Sequence, residues 1–152
     1  MEKIASFTVD HNKLRSGLYV SRKDSCGGVT VTTFDLRLTA PNREPPLSTG
    51  VMHTIEHIGA TYLRSSEAGG DVVYFGPMGC RTGFYLLMFG DLSGADVLLL
   101  VRRTFEFISD FRGDIPGASP SECGNWSDQD LDGAKAAAAA YLAELASPRL
   151  EY

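Results

Sequence analysis

From Val29 to Leu38 the chain alternates with a period of two. Phe34, Leu36 and Leu38 fall on one side, and Thr33, Asp35 and Arg37 on the other. That pattern predicts a half-buried strand. The segment from Pro41 to Pro46 breaks it, because proline offers no amide to a sheet ladder. Ser48 or Thr49 can then cap a helix running to about Ser66, which Gly69-Gly70 ends. Val72 to Phe75 reads as a short strand, Gly76-Pro77-Met78-Gly79 as a turn, and Gly83 to Phe89 as a further apolar strand. Ser93 is placed to cap a second helix whose Val97, Val101, Phe105 and Ile108 share one stripe. A loop rich in Gly, Pro and Ser spans Arg112 to Asn125, and a third helix covers about Leu131 to Ala146. Short-turn strands interleaved with helices predict an α+β fold: a two-layer sandwich with a mostly antiparallel sheet packed against helices. With 152 residues, a single domain over 1–152 is expected, large enough for its own core.

Bulk properties narrow the function. The net charge is −5, and no basic stripe exists to follow a nucleic-acid backbone, so no nucleic-acid partner is expected. One or two arginines can still hold a small anionic substrate. The N-terminus has no apolar run resembling a signal peptide, and the longest apolar stretch, Val97 to Val101, is too short to span a bilayer. Cys26, Cys80 and Cys123 make an odd set of thiols. Reduced cysteines in the cytoplasm are therefore expected, free for metal binding or catalysis.

The chemistry concentrates at His53-Thr54-Ile55-Glu56-His57, which holds two of the 3 histidines of the chain. On a helix, positions four apart share a face, so both imidazoles can point at one divalent cation. Glu56 lies beside them within proton-transfer reach, a natural general acid or base. At 100° per residue from His53, His57 lies at about 40°, Ala60 at about −20° and Arg64 at about 20°, roughly 10 Å beyond His57 along the axis. Small Ala60 leaves room between them. An elongated substrate could then place its reactive end at the cation and an anionic end at Arg64. Equally, Arg64 could simply end an amphipathic helix in solvent.

Two imidazoles rarely complete a site. Cys123, in Ser121-Glu122-Cys123-Gly124-Asn125 just ahead of a helix, could supply a thiolate and leave a fourth position open, as in catalytic sites. The alternative is a small buried apolar residue. Cys80 sits between Gly79 and Gly83, where a ligand can approach the backbone; near a dication and an arginine it could act as a base, and otherwise it is an inert thiol. Cys26 reads as a turn residue without a role. The H-x-x-E-H spacing also marks inverzincin-type metallopeptidases, much larger chains whose third ligand is a downstream glutamate. A purely structural metal would need a fourth protein ligand, with His11 the only spare histidine.

Several segments together are more specific than the pentapeptide. They are Ser6-Phe7, Asp10-His11, Phe34-Asp35-Leu36-Arg37, Pro41-Asn42, His53 to His57, Pro77-Met78-Gly79-Cys80-Arg81-Thr82-Gly83 and Cys123-Gly124-Asn125. In this order the set resembles the S-ribosylhomocysteine lyase (LuxS) family over nearly the whole chain. The resemblance implies a cytoplasmic homodimer with active sites at its interface. Such an enzyme cleaves S-ribosylhomocysteine to homocysteine and 4,5-dihydroxy-2,3-pentanedione, the precursor of autoinducer-2. It implies one divalent metal ion per subunit on His53, His57 and Cys123, with Fe(II) favoured and Zn(II) or Co(II) able to bind the same set. Glu56 and Cys80 would move protons, Ser6, His11 and Arg37 would line the ribose end, and Arg64 would stand near the homocysteine end. Many members carry an Asp shortly before the Pro-Met-Gly-Cys turn, where this chain has Val73-Tyr74-Phe75-Gly76.

Overall fold

The computed structural model describes residues 7–152. Their elements follow in the order β1 (Gly17–Cys26), β2 (Val29–Arg37), α1 (Thr49–Ser65), β3 (Val72–Pro77), β4 (Gly83–Phe89), α2 (Gly94–Ser109) and α3 (Leu131–Glu144). The strands form one sheet of order β1-β2-β4-β3, antiparallel at every pairing. Helices cover one face, giving the α+β sandwich expected from the sequence.

Strand β1 has no counterpart in the sequence reading. Its outer half, Arg22-Lys23-Asp24, is charged and exposed, and its pairing with β2 shifts register between Val20 and Arg22. A bulge of this kind interrupts the two-residue period on which strand recognition depends. Cys26 closes β1 rather than the turn. The turn is Gly27-Gly28, with φ of 57° and 81°; a two-residue hairpin loop of this type needs positive φ at both positions.

The alternation of β2 is observed, but its polar side is not solvated. Phe34 and Leu36 are 0% and 1% exposed and enter the core, while Asp35 and Arg37 are also only 2% and 3% exposed. Tyr152, in the segment after α3, lies over them: its ring stacks on Tyr19 at 4.6 Å and its hydroxyl donates to Asp35 Oδ2 at 3.1 Å. Cross-strand partners complete the cover, with Asp35 flanked by Tyr19 and Tyr85 and Arg37 by Gly17 and Gly83.

Helix α1 starts where the sequence places it. Ser48 accepts a hydrogen bond from the Val51 amide at 3.3 Å, satisfying one free donor of the first turn. Its inner face carries Val51, Met52, Ile55, Ile58 and Leu63, all buried. Gly59 permits close packing on β3: a Cβ there would stand 2.7 Å from the Phe75 ring. Helix α2 carries a reciprocal Ser93–Asp96 capping box and buries Val97, Val101, Phe105 and Ile108. Helix α3 stops at Glu144, two residues short of the expected end, and buries Ala134, Ala138 and Tyr141. The Tyr141 ring meets Phe105 edge-on at 4.7 Å and its hydroxyl donates to Gly17 O at 2.7 Å. Each fully buried aromatic of this kind contributes about 2–3 kcal/mol of transfer free energy. That core holds α1 with its other face, bearing His53, Glu56 and His57, only half buried. Among the described residues no helix is long and apolar enough to cross a membrane.

Candidate metal centre and thiol site

His53 and His57 project from the same side of α1, their rings 4.5 Å apart and nearly perpendicular. The loop between α2 and α3 closes over them. His53 Nδ1 donates to the Asp128 carbonyl at 2.9 Å, and His57 Nδ1 donates to the Pro116 carbonyl at 2.7 Å. A carbonyl can only accept, so these bonds place the protons on Nδ1 and leave the Nε2 lone pairs as acceptors, that of His53 toward the Cys123 thiol; the Gln129 amide nitrogen also lies 3.2 Å from His53 Nδ1. Gly117 makes the second contact possible. Its φ is +69°, and a Cβ on it would stand 3.2 Å from His57 Nδ1.

Cys123 is brought to the same place. Its amide donates to Ser119 O at 3.0 Å, which turns the loop so that Sγ lies 3.3 Å from His53 Nε2. One ligand atom each from His53, His57 and Cys123 all lie within 4.8 Å of one another. Metal–ligand bonds of about 2.0–2.3 Å place tetrahedral ligand atoms at separations of this order. Two imidazoles and one thiol therefore form a group that could hold a divalent ion. Sulfur, rather than a third carboxylate, joins the two imidazoles. Glu56, between the histidines in sequence, is half buried.

Cys80 belongs to a second cluster. The turn that carries it is tied by Met78 N to Gly83 O and Arg81 N to Met78 O, each at 2.9 Å. Arg81 adopts φ 59°, a left-handed conformation that costs a residue with a Cβ about 1–2 kcal/mol. Leu47 N, just ahead of α1, donates to Arg81 O at 2.9 Å, which fastens this turn to the N-terminal end of the histidine helix. Arg37 grips Asp35 through Nε at 3.1 Å and Nη2 at 2.5 Å. Its Nη1 donates to Thr82 Oγ1 at 2.6 Å and faces Cys80 Sγ at 3.8 Å. Because Thr82 Oγ1 accepts from Arg37, its own proton is free for Cys80 Sγ, 3.1 Å away. Burial pushes the Cys80 thiol up, but the Thr82 hydroxyl and backbone and the Arg37 charge outweigh it, and the thiol lies below its ordinary range.

The remaining expected residues fall as follows. His11 sits in a turn with Nδ1 2.9 Å from Val9 O, and its charge acts on Asp35. Arg64 is exposed and its Nη2 donates to Val73 O at 2.8 Å. Ser6 lies outside the described residues. Thr82, Asp35, Gly117 and the two carbonyls were not singled out from sequence. Thr82 and Asp35 stand inside the quoted motifs, whereas a carbonyl carries no signal in residue type.

A family model described as S-Ribosylhomocysteinase (LuxS) matches residues 4–151. A protein named S-ribosylhomocysteine lyase from Phocaeicola vulgatus is 56% identical over 146 residues, 95% of this chain and 91% of that one. Likewise named proteins from Finegoldia magna and Borreliella burgdorferi are each 54% identical, over 93% of this chain and 90% and 91% of theirs. Fold, paired imidazoles and thiol agree with this likeness, and the chain belongs to the S-ribosylhomocysteinase (LuxS) family.

Proposed function

We propose that this chain is an S-ribosylhomocysteine lyase, releasing homocysteine and 4,5-dihydroxy-2,3-pentanedione, the autoinducer-2 precursor. The observation that carries the reading is the convergence of one ligand atom each from His53, His57 and Cys123 within 4.8 Å, in a chain that matches the family along nearly its whole length.

The thioether of the substrate is a poor leaving group until a carbonyl lies two carbons away. One divalent ion per subunit on His53, His57 and Cys123, Fe(II) with Zn(II) and Co(II) as competent substitutes, would supply Lewis acidity that acidifies C–H bonds beside the sugar carbonyl. Cys80, as thiolate, takes the C2 proton and returns it to C1, moving the carbonyl from C1 to C2. A second transfer, from C3 to C2, moves it to C3. Cys80 then removes the C4 proton, the C4–C5 double bond forms and the C5–S bond breaks; the enol so formed gives up its O–H proton and takes one at C5, which yields the dione. Glu56 carries protons between the sugar oxygens and delivers one to the departing homocysteine sulfur. Arg37 and Thr82 keep Cys80 ionised. Ser6 and His11 face the ribose, and Arg64 stands toward the homocysteine end.

The working unit of this reading is a cytoplasmic homodimer. Its support is the sheet face away from the helices, where Arg22, Thr33, Leu87 and Tyr74 form a cross-strand row. That row lines a cavity of 330 Å³, and Tyr74 is 48% exposed. A second copy packed there puts the active sites at the interface, with the Ser6–His11 segment reaching over from the partner.

The test is thiol release from S-ribosylhomocysteine with and without chelator, alongside bound-metal analysis. Cys80→Ala is expected to retain metal and lose turnover, and His57→Ala to lose metal. Turnover surviving in Cys80→Ala, or release of thiol by chelated protein, overturns the reading.

A further inference from the structure

Tyr152 touches no part of the metal group, yet it ends a continuous polar chain that reaches Cys80. Its hydroxyl donates to Asp35 Oδ2 at 3.1 Å. The other oxygen of Asp35, Oδ1, takes Arg37 Nε at 3.1 Å, and Oδ2 also takes Nη2 at 2.5 Å. The far nitrogen of the same planar group, Nη1, serves Thr82 at 2.6 Å and Cys80 at 3.8 Å. A guanidinium is rigid, so the tilt of the Asp35 carboxylate sets where Nη1 points. Three donors fix that carboxylate, and two of them come from Arg37 itself. Tyr152 supplies the third, the one donor to the carboxylate among the described hydrogen bonds that comes from outside the pair.

We infer that Tyr152 is a positioning residue for the Cys80 thiolate, acting through Asp35 and Arg37. The stack on Tyr19 at 4.6 Å holds the ring over the pair. Asp35 and Arg37 side chains are each only 3% exposed, so the pair itself is little screened by water, and its Nη1 edge meets the exposed Cys80. Loss of the hydroxyl leaves Oδ2 one donor short; water enters, the carboxylate gains freedom, and the hold of Nη1 on the thiolate loosens. Burial, then the Asp35 charge, drives the Tyr152 phenol far above its ordinary value, so it stays a donor across any working pH. The charged and titratable groups around this chain are Asp35 and Arg37 from β2, Tyr19 and Arg22 from β1, Tyr85 from β4, Tyr141 and Glu144 from α3, His11 from the N-terminal turn and Arg149 beside Tyr19. Tyr152 forms no described bond to Cys80 itself, so loss of its hydroxyl takes no hydrogen-bond partner from the thiol.

The importance of this contact rests on Cys80 being the proton-transfer group, but its test does not need turnover. Iodoacetamide alkylation of the full metal-loaded protein is followed against pH, and the product on Cys80 is quantified by peptide mass. Tyr152→Phe keeps the stacked ring and removes only the hydroxyl. Its Cys80 alkylation curve is expected to move to higher pH, with a rate about threefold lower on the acid side, the size of a half-unit change in ionisation. Tyr152→Ala should move it at least as far. A Tyr152→Phe curve superimposable on the parent overturns the inference, whatever Tyr152→Ala does, because the residue then serves packing alone. If Cys80→Ala still releases homocysteine, the lyase mechanism fails while the alkylation result stands or falls separately.

Discussion

Replacing Gly117 by alanine tests how the metal group is held. Gly117 has φ +69° and its added Cβ would stand 3.2 Å from His57 Nδ1. Left-handed backbone costs alanine about 1–2 kcal/mol. The contact itself is tight by a few tenths of an ångström, and it can be relieved in only two ways. Either the loop backs away, taking the Pro116 carbonyl from its 2.7 Å bond with Nδ1, or the His57 ring turns. Both weaken that hydrogen bond, worth about 1 kcal/mol, and both misdirect Nε2. Loss of a group that orients a metal-binding histidine typically lowers affinity roughly 10–100-fold. Gly113→Ala is the matched control: its φ is +104°, but a Cβ there meets nothing within 4 Å. Chelator-competition titration with Zn(II), with thermal melts in parallel, separates the effects. Both variants should lose stability, and only Gly117→Ala should bind metal more weakly. Equal affinity in the two would refute the claim that the Pro116–Gly117 carbonyl contact sets the direction of His57.

Thr82→Val removes the hydroxyl between Arg37 Nη1 and Cys80 Sγ. The folded thiol lies below its ordinary range, so thiolate is lost as pH falls through that value. The variant needs a higher pH to form it, and homocysteine release should slow on the order of tenfold on the acid limb while recovering at high pH. Tyr74→Glu places a charge on the uncovered sheet face; sedimentation should show dimer giving way to monomer, with the melt of the monomer changed by no more than about 0.5 kcal/mol. A variant that stays dimeric would move the interface elsewhere.

Much of the helical layer was legible because its signals are local. Ser48 and Ser93 cap helices where a hydroxyl precedes an apolar stripe, and Val97, Val101, Phe105 and Ile108 fall on one side of α2 as their spacing requires. The motif on α1 was legible for the same reason: two imidazoles four residues apart share a face whatever packs beneath them. Cys123 joins them across 70 residues of chain, and only its scarcity and its loop pointed there. Strand β1 escaped because a register shift at Ser21 and a charged outer half erase the alternation. The buried state of Asp35 and Arg37 escaped because alternation records which side chains share a face, not what covers it. The cover is Tyr152, 117 positions away from Asp35.

The Asp35–Arg37 pair also bears on why this sheet is polar where an apolar one would pack as well. Taking two ions out of water is expensive, and well-packed apolar residues of similar volume are often at least as stable as a buried pair. Stability alone therefore gives little reason for a carboxylate and a guanidinium at 2% and 3% exposure on β2. The geometry supplies another. Asp35 takes up one edge of the guanidinium completely, and the remaining nitrogen, Nη1, reaches Thr82 and Cys80. A lone arginine on a loop could bring the same charge, but water would screen it and rotamer freedom would spread it over several ångströms. Held in the sheet by Asp35, it presents one N–H to one sulfur in a fixed direction. The cost of burying the pair is then borne by the core of α1, α2 and α3, and what it secures is a thiol that ionises below its ordinary range.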